Sequence, residues 1–143
     1  MTTTTFIPTL SREALLRLAL KLDAVVTGAN GAVYLAAAEP LEDLLGVPPD
    51  LLRPIGAFLL LFAAGVWLVA TRPVIPRPGA AAIVALNALW AVDSVIFAVA
   101  GISSPTTAGT VWIVLQAIVV AAFALLQASA LRDHRPGDDD PDA

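Results

Sequence analysis

The sequence has no cysteine and a single histidine, His134, close to its C-terminus. Without cysteine there are no disulfides, thiolate metal sites or thiol relays, which excludes the four-helix quinone-dependent enzymes that form disulfides. One histidine cannot ligate haem from two helices, so bis-histidine haem is excluded too. Charge is also scarce: Asp, Glu, Lys and Arg make up 14% of the 143 residues, where a soluble domain carries about 25%. The net charge of -4 comes largely from Asp133, Asp138, Asp139, Asp140 and Asp142, which argues against a nucleic-acid partner, since that would want a basic patch. No nucleophile-base pair, glycine-rich phosphate loop or metal-ligand cluster is present, so the chain is expected to be no enzyme and to hold no cofactor or metal.

What the chain has is apolar residues, 58% of the total, with a mean hydropathy of +0.83. Lipid covering most of the surface explains the missing charge. Four runs, about 16–38, 51–71, 80–102 and 108–131, are each long enough to cross a bilayer. They predict an all-α membrane protein, a four-transmembrane-helix bundle over 12–131. Residues 1–11 form a polar leader, without the basic and short apolar regions of a signal peptide, and 132–143 an acidic tail; both are expected to be disordered. Ser11 is placed to cap the first helix, and Glu13, Arg17 and Lys21 share one stripe from which side chains can snorkel to the headgroups. Glu39 and Pro40 should end the first span, and 39–49 should form a short amphipathic turn on the membrane surface. Thr106 or Thr107 is placed to cap the last helix. Counting basic residues at the helix ends puts Arg12, Arg17, Lys21, Arg72, Arg77, Arg132 and Arg135 on one side and Arg53 alone on the other. The positive-inside rule then predicts a multi-pass protein of the inner (plasma) membrane with both termini cytoplasmic.

The informative residues are the polar ones inside the apolar runs. Asp23, Thr27 and Asn30 follow i, i+4, i+7 on one face of the first span; Asn87, Trp90 and Ser94 repeat that spacing on the third, with Asp93 beside them. Counted from the outer ends at Ala38 and Ile102, Asp23 and Asn87 lie at equal depth, about 22 Å in at 1.5 Å per residue. Asn30, Asp93 and Ser94 are shallower. Gln116 and Gln127 on the oppositely running fourth span fall at matching heights. Two layers are therefore expected: Asp23, Asn87 and Gln127 toward the cytoplasm, and Asn30, Asp93, Ser94 and Gln116 toward the outside. The alignment of Asp23 with Asn87 also suggests two similar helical hairpins in tandem. The second span has no such stripe and is expected to face lipid.

Two readings of the layers stand side by side. As packing, amides satisfy carboxylic acids that stay protonated, and the hydrogen bonds fix helix register. As function, Asp23 and Asp93 carry protons or cations, or the layers form a candidate site for a partner or a lipid-like ligand. Arg17 and Lys21 are near enough to Asp23 in sequence for an ion pair, which leaves Asp93 the better functional candidate. Trp67 and Trp112 are expected at the interfaces and Trp90 in the packed interior. A transporter this small is expected to be a homo-oligomer, because four short helices enclose little volume; a membrane-protein partner goes with an accessory or structural role.

Three stretches carry a resemblance to a known group: LLRLALKLDAVVTGANG at the start of span one, LGVPPDLLRPIGAFLLLFAAG leading into span two, and ALNALWAVDS in span three. Across residues 12–131 the chain resembles four-helix integral membrane proteins of bacteria, and more loosely the DoxX-like group. The resemblance implies a four-helix membrane fold and an accessory role in a complex. DoxX-like proteins are linked to membrane redox partners and quinone-related chemistry, but no residue here would carry that chemistry. The small multidrug transporters also have four spans and a carboxylate in the first. Asp23 would take that place, although their surrounding motif is absent, and a small proton-coupled transporter or channel is the alternative function.

Overall fold

The computed structural model describes residues 11–132; the expected leader and acidic tail lie outside them, apart from Ser11 and Arg132. Five helices account for the fold: α1 (Arg12–Ala36), α2 (Ala38–Leu45), α3 (Pro49–Ala70), α4 (Arg77–Ala100) and α5 (Thr107–Arg132). Among the described residues there is no strand.

Local chemistry sets the boundaries. The Ser11 hydroxyl accepts from the Ala14 amide at 3.2 Å and starts α1, and Thr106 caps α5 by accepting from the Gly109 amide at 3.0 Å. α1 stops at Ala36, earlier than the expected break at Glu39 and Pro40. In a continuous helix the Pro40 ring would meet the carbonyl four residues back, at Ala36. The chain leaves the helix at Ala37 and Pro40 falls in the first turn of α2, where its missing N–H has no partner to lose. The connector expected as a turn is thus a true helix of eight residues. It ends at Gly46, whose φ of 71° is the left-handed stop glycine adopts without strain.

Among the described residues three helices, α3, α4 and α5, are long and apolar enough to cross a membrane, not the expected four. α1 has the length, at 25 residues, but Arg12, Glu13, Arg17, Lys21 and Asp23 crowd its first half.

α1 packs against α3 and α5, α4 packs against α5, and α3 meets α4 only locally. The Cα traces of α1 and α4 stay more than 8 Å apart. The chain is therefore two helix pairs, α1/α3 and α4/α5, joined along α1 and α5. The tightest crossing lies between α1 and α3, where Gly31 faces Gly56. A Cβ added at Gly31 would lie 2.7 Å from the Gly56 carbonyl oxygen, and one at Gly56 2.8 Å from that of Gly31. Small residues let helices meet where lipid provides no hydrophobic drive for association.

Apolar packing is concentrated at the two ends. One cluster joins Leu16, Leu20, Ala24, Val66, Ala70, Ile83 and Ala130. The other, at the α2 end, joins Tyr34, Ala38, Leu45, Val47, Leu52 and Leu59. At the first end Arg17 donates through Nη1 to the carbonyls of Ala70 and Arg72 (2.5 and 2.7 Å) and through Nη2 to that of Pro73 (3.4 Å), closing the C-terminus of α3. At the other, Glu39 of α2 pairs with Arg53 of α3. Thr106 ties α2 to the start of α5 by donating through its amide to the Leu45 carbonyl (3.0 Å) and through its hydroxyl to that of Leu44 (2.7 Å).

Candidate functional site

The expected inner layer comes together as a single cluster. Asp23 and Gln127 are wholly buried and Asn87 nearly so. Oδ2 of Asp23 accepts from Asn87 Nδ2 at 2.6 Å and from Gln127 Nε2 at 2.9 Å, and its Oδ1 accepts from the Thr27 hydroxyl at 3.0 Å. Asn87 Nδ2 also lies 3.2 Å from Gln127 Oε1, so each of the three side chains touches the other two. Donors from three helices satisfy one carboxyl, and the cluster spans the gap between α1 and α4 that the backbones leave open. The expected ion pair with Arg17 or Lys21 is not there. Arg17 is committed to the carbonyls of Ala70 and Arg72, and Lys21 Nζ lies 5.7 Å from the ring centre of Trp67, a cation-π contact.

The outer layer does not assemble as expected. Ser94 turns back to donate to the Trp90 carbonyl of its own helix at 2.7 Å. Gln116 instead meets Tyr34, the only tyrosine of the chain. The Tyr34 hydroxyl accepts from Gln116 Nε2 at 3.0 Å and from Trp112 Nε1 at 2.9 Å, and donates to Gln116 Oε1 at 3.3 Å. Trp112, expected as an interface anchor, therefore also belongs to a polar contact. Tyr34 continues the Asp23, Thr27, Asn30 stripe by one more turn, and that spacing is its signal in the sequence. Asn30 and Asp93 have no hydrogen-bond or ionic partner among the described residues.

The reason is a cavity of about 880 Å³ between the two helix pairs. Thr27 and Asn87 lie in its wall on the side of the inner cluster; Leu41, Leu44 and Leu45 of α2 line the other end, and all five helices contribute. α1 brings the half-buried Asn30 to the wall and α4 brings Asp93, which is exposed, so these two side chains face the open space between the helix pairs instead of each other. Most of the lining is aliphatic or aromatic. Trp90 stacks on Phe58 at 5.8 Å and Phe58 on Phe62 at 6.1 Å, bridging α4 to α3 along the cavity edge. Among the described residues no three Asp, Glu, His or Cys side chains gather where they could hold a metal. A large apolar cavity with a few polar groups is the form binding sites for small apolar molecules take.

Comparison with known protein families, with curated proteins and with solved structures finds no match to this chain.

Proposed function

We propose that the chain is a non-enzymatic, four-span protein of the inner membrane that binds a lipid-like ligand in the cavity between its two helix pairs. The observation carrying this reading is the cavity itself, whose volume lies within the roughly 300–1,000 Å³ of small-molecule sites. Asn30 and Asp93 are polar groups in its wall that the fold leaves unused. The role would be accessory: presenting or sensing the ligand for a membrane partner.

A fourth span is supported by the way α1 lies on α3. Arg17 reaches the C-terminus of α3, Gly31 crosses Gly56, and Tyr34 packs in one cluster with Leu52 near the α3 N-terminus. α1 thus runs the length of a helix apolar enough to cross. Past Glu13 its exposed residues, Leu18, Leu22, Val25, Val26 and Val33 among them, are aliphatic and suit lipid or cavity. Its basic residues sit at the end that also carries Arg72 and Arg77, and by the positive-inside rule that end is cytoplasmic.

Native mass spectrometry of the protein released from the membrane tests the ligand reading. A co-purifying lipid-like molecule is expected, and Leu89→Trp, which fills the cavity wall, should remove it. Leu61→Trp on the outward surface of α3, where Leu61 is 76% exposed, should not. Loss in neither or in both variants would speak against the cavity. The second reading, a small proton-coupled transporter or channel, is favoured by the unpaired Asp93. It predicts basal proton flux in liposomes that Asp93→Asn abolishes, where the accessory reading predicts none.

A further inference from the structure

The two membrane carboxyls of this chain are treated in opposite ways. Asp23 receives three donors from Thr27, Asn87 and Gln127. Asp93 is exposed in the wall of the open cavity and receives none from the described residues. Leaving a carboxylate without donors or a counter-charge in an apolar setting is costly, so such a group is kept where something outside the chain completes it. We infer that the cavity takes a net-cationic amphiphile, an organic ammonium with a hydrocarbon tail, whose charged group sits at Asp93; the inference rests on the cavity reading above.

Four features of the lining select this chemistry. No lysine or arginine belongs to it, so an anionic headgroup would find no basic partner. A zwitterionic phospholipid would bring a phosphate to the same wall and be no better served. A bare divalent ion wants six or more oxygen ligands in the case of calcium, or a near-octahedral shell in that of magnesium, and the lining supplies one carboxylate with a few amide and hydroxyl groups. An organic cation needs only one counter-charge and soft surfaces. Trp90 lies three residues before Asp93, hence on a neighbouring turn of the same face, and Phe58 stacks on it. Aromatic faces attract ammonium groups, most strongly those of tryptophan. Asp93 is seven residues from the end of α4 at Ala100, roughly 10 Å along the axis at 1.5 Å per residue. The charged group would therefore sit near the α2 end of the bundle, with the tail running among Val26, Val33, Leu115 and Val119.

The test uses the full chain in phosphatidylcholine nanodiscs, with empty nanodiscs as reference, and three probes that share one tail: decyltrimethylammonium, decanol and decanesulfonate. Binding is followed by isothermal titration. The cation is expected to bind at least about tenfold more tightly than the other two, the scale of a desolvated cation-π contact beside a counter-charge. Asp93→Asn should abolish that preference while leaving decanol binding in place, and Asp93→Glu should keep it. Equal binding of the three probes, all lost in Leu89→Trp, would overturn the cationic ligand and leave the cavity reading standing. If no probe binds beyond empty nanodiscs, or Leu89→Trp binds all three as the parent does, both fall. Should Asp93→Asn not fold, the selectivity of the parent protein among the three probes decides.

Discussion

Removing one donor from Asp23 measures what the buried cluster contributes to the fold. Asn87 reaches both Asp23 and Gln127 through the same Nδ2, so Asn87→Ala leaves a buried carboxyl short of a donor and Gln127 short of a partner. The expected loss is about 1–3 kcal/mol, the cost of an unsatisfied buried group, read as a lower unfolding midpoint in nanodiscs. Gln127→Ala should cost a comparable amount, and the double variant less than the sum, because both act on one oxygen of Asp23. Strict additivity would mean that the side chains act independently. This cluster was legible in the sequence because depth is countable, and at that depth Gln127, on the helix that packs against both α1 and α4, joins Asp23 to Asn87. The outer layer was not legible by the same count: Asn30 and Asp93 are at similar heights on the same two helices, whose backbones never come within 8 Å, but there Gln116 of α5 bonds Tyr34 and the cavity separates the other two. Height follows from sequence position, whereas lateral distance depends on how the side chains of other helices fill the space between.

The helix elements show the same division between what spacing fixes and what packing fixes. Gly56 and Gly65 are both in α3 and look equivalent in the sequence, yet a Cβ at Gly56 would meet the Gly31 carbonyl oxygen at 2.8 Å, while at Gly65 nothing lies within 4 Å. Gly56→Ala should therefore force the α1/α3 crossing apart at a cost of about 1–3 kcal/mol, as overpacking does. Gly65→Ala should be neutral or gain up to about 1 kcal/mol from helix propensity. Thermal unfolding of the two variants side by side separates the effects, and equal shifts would contradict the crossing. α2 gives a further case. Pro40 in the sequence signals a break but not that eight residues beyond the break would fold again and close over a cavity, which depends on Thr106 some 60 residues later. Thr106→Val removes the hydroxyl that caps α5 and holds Leu44; a cap is worth about 1 kcal/mol. Hydrogen exchange should then quicken in α2 and the first turn of α5, and not at the α1/α3 crossing; uniform quickening would mean that α2 does not move separately.

At the scale of the whole molecule, the question is how many times the chain crosses the membrane, because α1 alone mixes the length of a span with the charge of a surface helix. Its packing decides the expectation. A helix whose Arg17 touches the last carbonyls of α3 and whose Tyr34 shares a cluster with Leu52 must accompany α3 from end to end, and lying flat on the membrane would require breaking the Gly31–Gly56 crossing. The charges of α1 fit this arrangement, since Arg12, Glu13, Arg17 and Lys21 are confined to its first three turns, with Lys21 against Trp67, and Asp23 is satisfied within the bundle. The absence of cysteine makes the test direct, because any single introduced cysteine is the only thiol in the chain. Arg12→Cys, Glu42→Cys, Val74→Cys and Ser103→Cys probe the start of α1, α2, the α3/α4 turn and the α4/α5 turn. With an impermeant thiol reagent on intact cells, Glu42→Cys and Ser103→Cys should be labelled, while Arg12→Cys and Val74→Cys should react only after the membrane is opened. That pattern requires α1 to cross and places the arginine-rich end inside. Labelling of Arg12→Cys together with Glu42→Cys and Ser103→Cys, with Val74→Cys protected, would leave three spans and return α1 to the surface, and the cavity would then need a second chain to complete its wall.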